Sequence, residues 1–176
     1  MNLQSLIREI PDYPKPGIIF RDILPILYNP KALKYVNDKF YMRYHSHQLD
    51  GVAGIEARGF IFGVLLAQKL GVSFIPIRKP GKLPCDVISA DYSLEYGTDT
   101  LEIDKTAINK GDNILIVDDL IATGGTAVAA GDLIESLGGH ILEYAFLIDL
   151  YEIGGSSILR FEKHRDVFSL LTLDGD

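Results

Sequence analysis

The chain has one cysteine, no long hydrophobic run and no excess of positive charge among its 176 residues. Cys85 by itself cannot form an internal disulfide, which is typical of proteins from a reducing compartment. The longest apolar stretch, GFIFGVLLA, is far too short to span a bilayer. The N-terminal residues MNLQSLIREIPDYP lack the basic start and apolar run of a signal peptide. These absences predict a soluble, cytoplasmic protein that does not bind membranes.

The net charge of -7 argues against a broad nucleic-acid-binding face, which requires clustered lysine and arginine. The sequence also lacks repeats, low-complexity tracts and Pro/Ser-rich linkers, so we expect residues 1–176 to form a single domain. Cations cluster in the stretch IRKPGK, which contains Arg78, Lys79 and Lys82. Such a run is typical of a solvated turn, but it could also bind a small anionic ligand.

Short buried strands alternate with helical segments, which predicts an α/β fold with a mostly parallel central sheet and helices on both faces. The predicted strands are GVAGI, VSFIPI, ILIV, ILEYAFLIDL and VFSLL. The main predicted helices cover about residues 30–44, 60–70, 126–137 and 157–163. The stretch YSLEYGTDTLEI alternates in polarity and turns at Gly97, which predicts a hairpin or flap.

Two patterns near the N-terminus concern helix ends. The apolar residues of LQSLIREI have a helical spacing, which predicts a helix that Pro11 ends. Asn29 followed by Pro30 predicts the N-cap and first turn of the next helix.

The stretch ILIVDDLIATGGT, residues 114–126, places two carboxylates directly after a predicted buried strand. In parallel sheets, ligands bind outside the carboxyl ends of the strands. Asp118 and Asp119 point to opposite sides if the extended geometry continues through them. Carboxylates at this position can accept hydrogen bonds from sugar hydroxyls or hold a hydrated divalent cation.

The next residues, ATGGT, have the features of a phosphate-binding turn. Gly124 and Gly125 can adopt positive φ and allow a ligand close to the backbone, and Thr123 and Thr126 offer hydroxyl donors. The helix that follows presents free N–H groups and the positive end of its dipole. The chain lacks the motifs G-x-x-x-x-G-K-[ST] and G-x-G-x-x-G of other nucleotide sites. The pattern predicts a ribose 5-phosphate site, and the alternative is a plain strand–turn–helix joint.

The stretch ILIVDDLIATGGT resembles the phosphoribosyl-diphosphate signature of type I phosphoribosyltransferases. The stretches YPKPGIIFRDILP, IEARGFIFG, IRKPGKLP and YSLEYGTDTLEI resemble the branch of that family that acts on adenine. The similarity covers about residues 10–171. It implies the type I fold, with a base-binding hood at about residues 1–25 and a small flap at about residues 82–104.

This resemblance also implies an activity, which is the transfer of 5-phosphoribose to N9 of adenine in purine salvage. The donor is 5-phosphoribosyl 1-diphosphate, the products are AMP and diphosphate, and the transition state resembles an oxocarbenium ion. Mg²⁺ is the implied cofactor, held mainly by substrate and water with few or no direct protein ligands. Family members are usually homodimers in which a basic residue reaches the partner's active site, and Arg78 is the candidate here.

The resemblance assigns residues to the donor. Those implied for the phosphate and ribose are Asp118, Asp119, Ala122, Thr123, Gly124, Gly125 and Thr126. Those implied for the diphosphate are Arg58, Arg78, Lys79 and Lys82. Arg58 opens a predicted helix, where the dipole disfavours a cation, and this misfit favours a functional role over a surface one. The implied catalytic residues are Glu95, Asp118, Asp119 and Arg58.

For the base, the resemblance implies that the main chain at Ile19 and Arg21 reads the edge of adenine while Phe20 and Leu120 sandwich the ring. The alternative for Phe20 is a core position. Glu95 resembles a loop carboxylate at the N7/N9 edge of the purine, and its alternative is a surface charge on the hairpin.

Several alternatives stay open at this point. Pro80 and Cys85 depart from the family pattern and leave the path of the basic loop undefined. Specificity for adenine rests on the resemblance alone, so a transferase for another base and a non-catalytic sensor of the donor are competing hypotheses. His45 and His47 are more typical of a solvated helix end than of a metal site.

Overall fold

A computed structural model describes residues 1–93 and 97–175. Its centre is a five-stranded sheet in which every neighbouring pair is parallel, as the sequence predicts. In chain order, the strands of the described residues are β1 (Arg8–Ile10), β2 (Phe20–Asp22), β3 (Gly51–Ile55), β4 (Ser73–Ile77), β5 (Val87–Ser93), β6 (Thr98–Asp104), β7 (Asn113–Ile121), β8 (His140–Leu150) and β9 (Val167–Leu173). The helices are α1 (Leu24–Leu27), α2 (Pro30–Tyr44), α3 (Arg58–Leu70), α4 (Gly125–Ser136) and α5 (Gly155–Ser157), the last continued by a π-helical turn, Ile158–Glu162.

The strand order β4-β3-β7-β8-β9 reverses direction between β3 and β7. Helix α3 carries the chain from β3 outward to β4, whereas α4 and α5 carry it the other way, from β7 to β8 and on to β9. A crevice opens outside the carboxyl ends of the strands at such a switch point. The loops that leave β3 and β7 begin at Glu56 and Ala122, so the sheet brings the stretches IEARG and DDLIATGGT side by side.

Side chains of β7 alternate between two cores, one on each face of the sheet. Ile114 and Ile116 belong to the core that includes α4 and the β5–β6 hairpin. Leu115 and Val117 belong to the core that includes α2 and α3. All four side chains are fully buried. This arrangement confirms the prediction of a sheet covered by helices on both faces.

Helix α2 begins where the sequence predicts. The Asn29 side chain accepts hydrogen bonds from the backbone N–H groups of Lys31 and Ala32, at 3.1 and 3.2 Å, and Pro30 occupies the first turn. None of the helices in residues 1–93 and 97–175 has the length and apolar character needed to cross a membrane.

The predicted N-terminal helix is wrong. Residues Gln4–Leu6 form a 3₁₀ turn, and Arg8–Ile10 form β1, which pairs antiparallel with β2. Charges reinforce this pairing, because Arg8 Nε donates to Asp22 Oδ2 at 2.9 Å and Glu9 forms an ion pair with Arg21. A helix of about eight residues is marginal in isolation. The second strand supplies the backbone partners and opposite charges that the short helix would lack.

Strands β5 and β6 form the predicted hairpin, with Ser93 opposite Thr98 and with Gly97 at a φ of +91°. The strands extend the predicted stretch at its start, because β5 begins at Val87. Two backbone hydrogen bonds join Glu102 of β6 to Arg78, at 2.9 and 2.7 Å, and so attach the hairpin to the chain that leaves β4.

Candidate active site

Two cavities lie around the switch point between β3 and β7. The first, here called the loop cavity, has a volume of about 260 Å³. Its lining includes most of the residues predicted for the donor: Arg58, Lys79, Asp118, Asp119, Ala122, Thr123, Gly124 and Thr126. The second, the hood cavity, has a volume of about 940 Å³ and is lined by all four residues predicted for the base: Ile19, Phe20, Arg21 and Leu120. Arg58 and Leu120 line both cavities, which therefore adjoin.

The acid pair lies on the last part of β7, because the strand continues through both aspartates to Ile121. Asp119 is buried, with 3% of its surface exposed, and Asp118 is half-buried. The Asp119 backbone N–H donates to Asp118 Oδ1 at 2.8 Å. Arg58 Nε lies 3.0 Å from Asp119 Oδ2, but that buried oxygen has no hydrogen-bond partner of correct geometry among the described residues.

Burial raises the pKa of both carboxyl groups, because an ionised carboxylate loses hydration in this crevice. The neighbouring charge of Asp119 raises the pKa of Asp118 further. Arg58 acts in the opposite direction and limits the rise at Asp119. The pair therefore holds a proton more readily than ordinary aspartates do, and a ligand with positive charge would favour its fully ionised form.

The turn after β7 is packed against backbone from another part of the chain. Gly124 has a φ of +84°, a conformation that favours glycine, and it precedes the first residue of α4. The backbone N–H of Gly155 donates to the Ala122 carbonyl oxygen at 2.9 Å. A Cβ at Gly155 would lie 2.3 Å from that oxygen, so no side chain fits there. Gly155 was not predicted as a site residue, and the one feature of the sequence that points to it is the glycine pair in YEIGGSS.

Gly125 faces the hairpin. A Cβ at this position would lie 3.0 Å from the Ser93 carbonyl oxygen and 3.4 Å from Tyr92 Cδ2. The close contact with β5 therefore requires a small residue here, in addition to the predicted approach of a ligand to the backbone. Gly125 is the one residue of the predicted phosphate set that does not line the loop cavity in the described part of the chain.

Arg58 connects the two cavities. Arg58 lies at the start of α3, which agrees with the prediction that it opens the helix after GVAGI. The helix itself begins at Arg58, two residues earlier than the predicted start at Phe60. Besides its contact with Asp119, its guanidinium carbon lies 5.3 Å from the centre of the Phe20 ring, a cation–π distance. One flexible cation thus contacts both the acid pair and the aromatic wall of the hood.

The hood cavity is formed largely by the segment around β2. Phe20 and Arg21 belong to β2, and Tyr13 packs edge-on against the Phe20 ring with 5.2 Å between ring centres. The Arg21 side chain is buried, forms an ion pair with Glu9 and donates to the Asp174 carbonyl oxygen at 3.2 Å. These contacts hold the Arg21 side chain, and the role of its main chain in reading a base stays a prediction.

The three cations of the basic stretch take different positions. Lys79 lines the loop cavity, where Nζ donates to Tyr92 Oη at 2.5 Å and to the carboxylate of Asp99. Arg78 and Lys82 are not among its lining residues. Arg78 Nε lies 3.2 Å from Glu56 Oε2, and Arg78 Nη1 donates to the Lys82 carbonyl oxygen at 3.1 Å.

Glu56 and the hairpin pair Tyr92 and Asp99 were missed by the sequence analysis. Burial raises the pKa of Glu56, but hydrogen bonds from the Lys79 backbone and from Arg78 outweigh it, so the net shift is downward. Hydrogen bonding to Lys79 lowers the pKa of Asp99. Burial lowers the pKa of Lys79, but the hydrogen bonds to Asp99 and Tyr92 outweigh it and raise the pKa overall. Glu56, Asp99 and Lys79 are therefore all charged near neutrality.

Glu95, predicted as the loop carboxylate, lies outside the described residues, so its role stays a prediction. Within residues 1–93 and 97–175, no group of three or more His, Cys, Asp or Glu side chains is arranged to hold a metal ion.

The family model of the phosphoribosyl transferase domain matches residues 24–155. Among curated relatives, the adenine phosphoribosyltransferase of Cyanothece sp. is 57% identical over 88% of this chain and 91% of its own. The crystal structure of adenine phosphoribosyltransferase from Thermoanaerobacter pseudethanolicus is similar with a TM-score of 0.92 and 47% identity, covering 97% of this chain and 98% of the other. The Saccharomyces cerevisiae enzyme, in complex with an imino-altritol bisphosphate and adenine, has a TM-score of 0.89 and 44% identity, over 96% of both chains.

Asp118→Asn should stabilise the protein at pH 7. A carboxyl whose pKa is raised by folding lowers stability as the pH rises above its unfolded value, near 4, and the neutral amide removes that penalty. We expect the variant to have a Tm roughly 2–4 °C higher at pH 7. At pH 3, where Asp118 is protonated in both states, the two Tm values should be equal. Thermal unfolding at both pH values tests this, with the exposed Asp166→Asn as a control. A gain that persists at pH 3 would contradict the electrostatic cause.

Proposed function

Because the chain belongs to the adenine phosphoribosyltransferases of the phosphoribosyl transferase domain family, we infer that it makes AMP and diphosphate from adenine and 5-phosphoribosyl 1-diphosphate. The observation that carries the proposal for its site is the meeting of two cavities at the acid pair and Arg58. The loop cavity takes the donor and the hood cavity takes the base. The anomeric carbon then lies near their junction, between leaving group and nucleophile.

The 5-phosphate binds the turn of residues 122–126 in this proposal. Its oxygens accept hydrogen bonds from backbone N–H groups and from the hydroxyls of Thr123 and Thr126, at the positive end of α4. The packing of Gly155 beneath Ala122 supports this assignment, because it fixes the turn before a ligand arrives.

Asp118 and Asp119 bind the ribose hydroxyls and stabilise the transition state. When the bond from C1′ to the diphosphate oxygen breaks, the electron pair leaves with diphosphate and positive charge develops on the ribose ring. Two carboxylates that repel each other and are poorly hydrated interact more favourably with this charge than exposed ones would. N9 of adenine then forms the new bond to C1′.

The leaving diphosphate binds the cations at the ends of β3 and β4. Arg58 and Lys79 are best placed because both line the loop cavity. Lys82 is exposed nearby and completes the proposed set. We further propose a cytoplasmic homodimer in which Arg78 reaches the partner's active site. Because Arg78 contacts Glu56 of its own chain, it must release that carboxylate to do so.

Mg²⁺ is the proposed cofactor. Asp118 and Asp119, which line the loop cavity, would hold a hydrated Mg²⁺, because carboxylate oxygens are ligands that this ion prefers. When bound, the ion would neutralise charge on the departing diphosphate. Arg58 and Lys79 would add the protein's own positive charge on the same group.

Adenine binds between Phe20 and Leu120 in the hood cavity, and the backbone at Ile19 and Arg21 reads its edge. The yeast relative that was crystallised with adenine supports a base site in this fold. Glu95 is proposed to assist the proton transfer at the N7/N9 edge. An assay of adenine, hypoxanthine, guanine and orotate with the same donor tests the base assignment. We expect adenine to be the one base of the four that is converted to its nucleotide. Turnover of another base, with no turnover of adenine, would contradict the assignment.

Asp118→Asn and Asp119→Asn should each lower kcat by about 10²–10³, because each removes a charge beside the developing cation. Steady-state assays at saturating substrates measure the effect. Asp166→Asn, an exposed aspartate before β9, serves as the matched control. Unchanged kcat in both site variants would refute the proposed role of the pair.

Glu95→Gln should lower kcat while the affinity for the donor changes little, because the residue is proposed to act on the base. Kinetics and calorimetric titration with the donor and Mg²⁺ separate the two effects. A variant whose main defect is lost donor affinity would show that Glu95 serves the donor instead.

Gly125→Val should abolish donor binding, because the added carbons push β5 away from α4 and fill the space beside the turn. The atoms nearest to an added Cβ belong to the hairpin strand β5 and not to the central sheet, so we expect only a modest loss of Tm. Gly125→Ala adds a single carbon at 3.0 Å from Ser93 O and should retain more donor affinity. Calorimetry and thermal unfolding measure both effects. A wild-type affinity in Gly125→Val would contradict the assignment of the turn.

A further inference from the structure

Three side chains from different elements meet at the rim of the loop cavity, and we call them the flap cluster: Lys79, Tyr92 and Asp99. Lys79 follows β4, whereas Tyr92 and Asp99 lie directly opposite each other on β5 and β6 of the hairpin. Lys79 and Tyr92 line the loop cavity with the acid pair. The cluster therefore joins the hairpin to the sheet at the proposed diphosphate site.

The hydrogen bonds of the cluster are mutually consistent. Lys79 Nζ donates to Tyr92 Oη at 2.5 Å and to the Asp99 carboxylate, and Tyr92 Oη donates to Asp99 Oδ2 at 3.1 Å. The other oxygen of Asp99 accepts the Thr100 backbone N–H at 2.8 Å. One oxygen of the Asp99 carboxylate is therefore held by the backbone of its own strand. The other accepts from Tyr92 of the hairpin and from Lys79, which follows β4.

This arrangement orders a side chain that is otherwise flexible. A lysine side chain has many accessible rotamers and carries three N–H donors. Two of the three donors of Lys79 are occupied by the hairpin, and within residues 1–93 and 97–175 the third has no hydrogen-bond partner, so it can serve an anion in the cavity that Lys79 lines. The ring of Tyr92 packs against Gly125 at the start of α4, which fixes the hydroxyl relative to the proposed phosphate turn.

We propose that Asp99, together with Tyr92, is a positioning residue that holds the Lys79 ammonium group at the loop cavity to bind the diphosphate of the donor. The inference rests on the proposed function and extends it to a residue of the hairpin. Because the carboxylate belongs to β6, Lys79 is ordered only while the hairpin packs against the sheet. The hairpin thus contributes to diphosphate binding through its contacts with Lys79.

The direction in which Asp99→Asn changes the affinity for diphosphate distinguishes a positioning role from a simple effect of charge. Asp99→Asn removes a negative charge near the cavity, which by long-range attraction alone should tighten the binding of a polyanion. If Asp99 positions Lys79, the same variant should weaken that binding, because Lys79 loses its charged anchor. Asp91→Asn is a matched control. Asp91 lies on the same hairpin, is exposed, and within the described residues its side chain accepts one side-chain hydrogen bond, from Thr100 Oγ1 at 2.7 Å.

The experiment measures KM for the donor, kcat, and the Kd of inorganic diphosphate with Mg²⁺ by calorimetry. For Asp99→Asn we expect KM and Kd to rise about tenfold, with kcat within about twofold, as for the loss of one charge-assisted hydrogen bond. Asp99→Glu should restore part of the loss, and Asp91→Asn should match the wild type. Tyr92→Phe keeps the ring against Gly125, removes only the hydroxyl, and should give a smaller rise.

Unchanged or tighter diphosphate binding in Asp99→Asn would overturn the proposal, and so would an equal effect of Asp91→Asn. If Asp99→Asn does not fold, Tyr92→Phe decides, and wild-type KM and Kd in that variant would overturn it. Failure of the proposed function has a different signature, which is a wild-type protein that forms no AMP from adenine and the donor.

Discussion

The structure depends on two adjacent carboxylates at the switch point of the parallel sheet, where the order of strand addition reverses between β3 and β7. Asp118 and Asp119 lie in the last part of a buried strand, so they are poorly hydrated and repel each other, and Arg58 from the neighbouring crossover offsets this at Asp119. Keeping such charges in the crevice lowers stability near neutral pH. In the proposed reaction, the same unfavourable environment would strengthen their interaction with a ribose ring that becomes positive. Stability and catalysis are thus opposed at this position.

Much of the remaining architecture keeps main chain close to that pair. Gly155 packs its backbone against Ala122, which leaves no space for a side chain there, and the hairpin strand β5 packs closely against Gly125. Arg58 lies between Asp119 and the Phe20 ring, and so connects the donor and base cavities through one guanidinium. The hairpin contributes Asp99, which forms an ion pair with Lys79 of the basic stretch. Each contact joins segments that are distant in the sequence.

Local pattern predicted the elements whose stability is mainly local or follows from simple burial. The β7 strand, the Asn29 cap of α2 and the glycine turn before α4 all carry residue types that favour one backbone conformation. The prediction of an N-terminal helix was wrong because a helix of eight residues is less stable than the pairing of this segment with β2. No local pattern reveals that partner. Glu56, Asp99 and Gly155 were missed for the same reason, since their partners lie elsewhere in the chain.

The sequence by itself determined the α/β alternation, the acid pair with the glycine turn that follows it, and the family, because these depend on contiguous residues with fixed spacing. Only the tertiary structure decided which cations reach the cavity. Lys79 lines it, whereas Arg78 pairs with Glu56, although the two are adjacent in the sequence. Successive side chains leave an extended backbone in opposite directions, and the partner that each one meets is set by the strand order of the sheet.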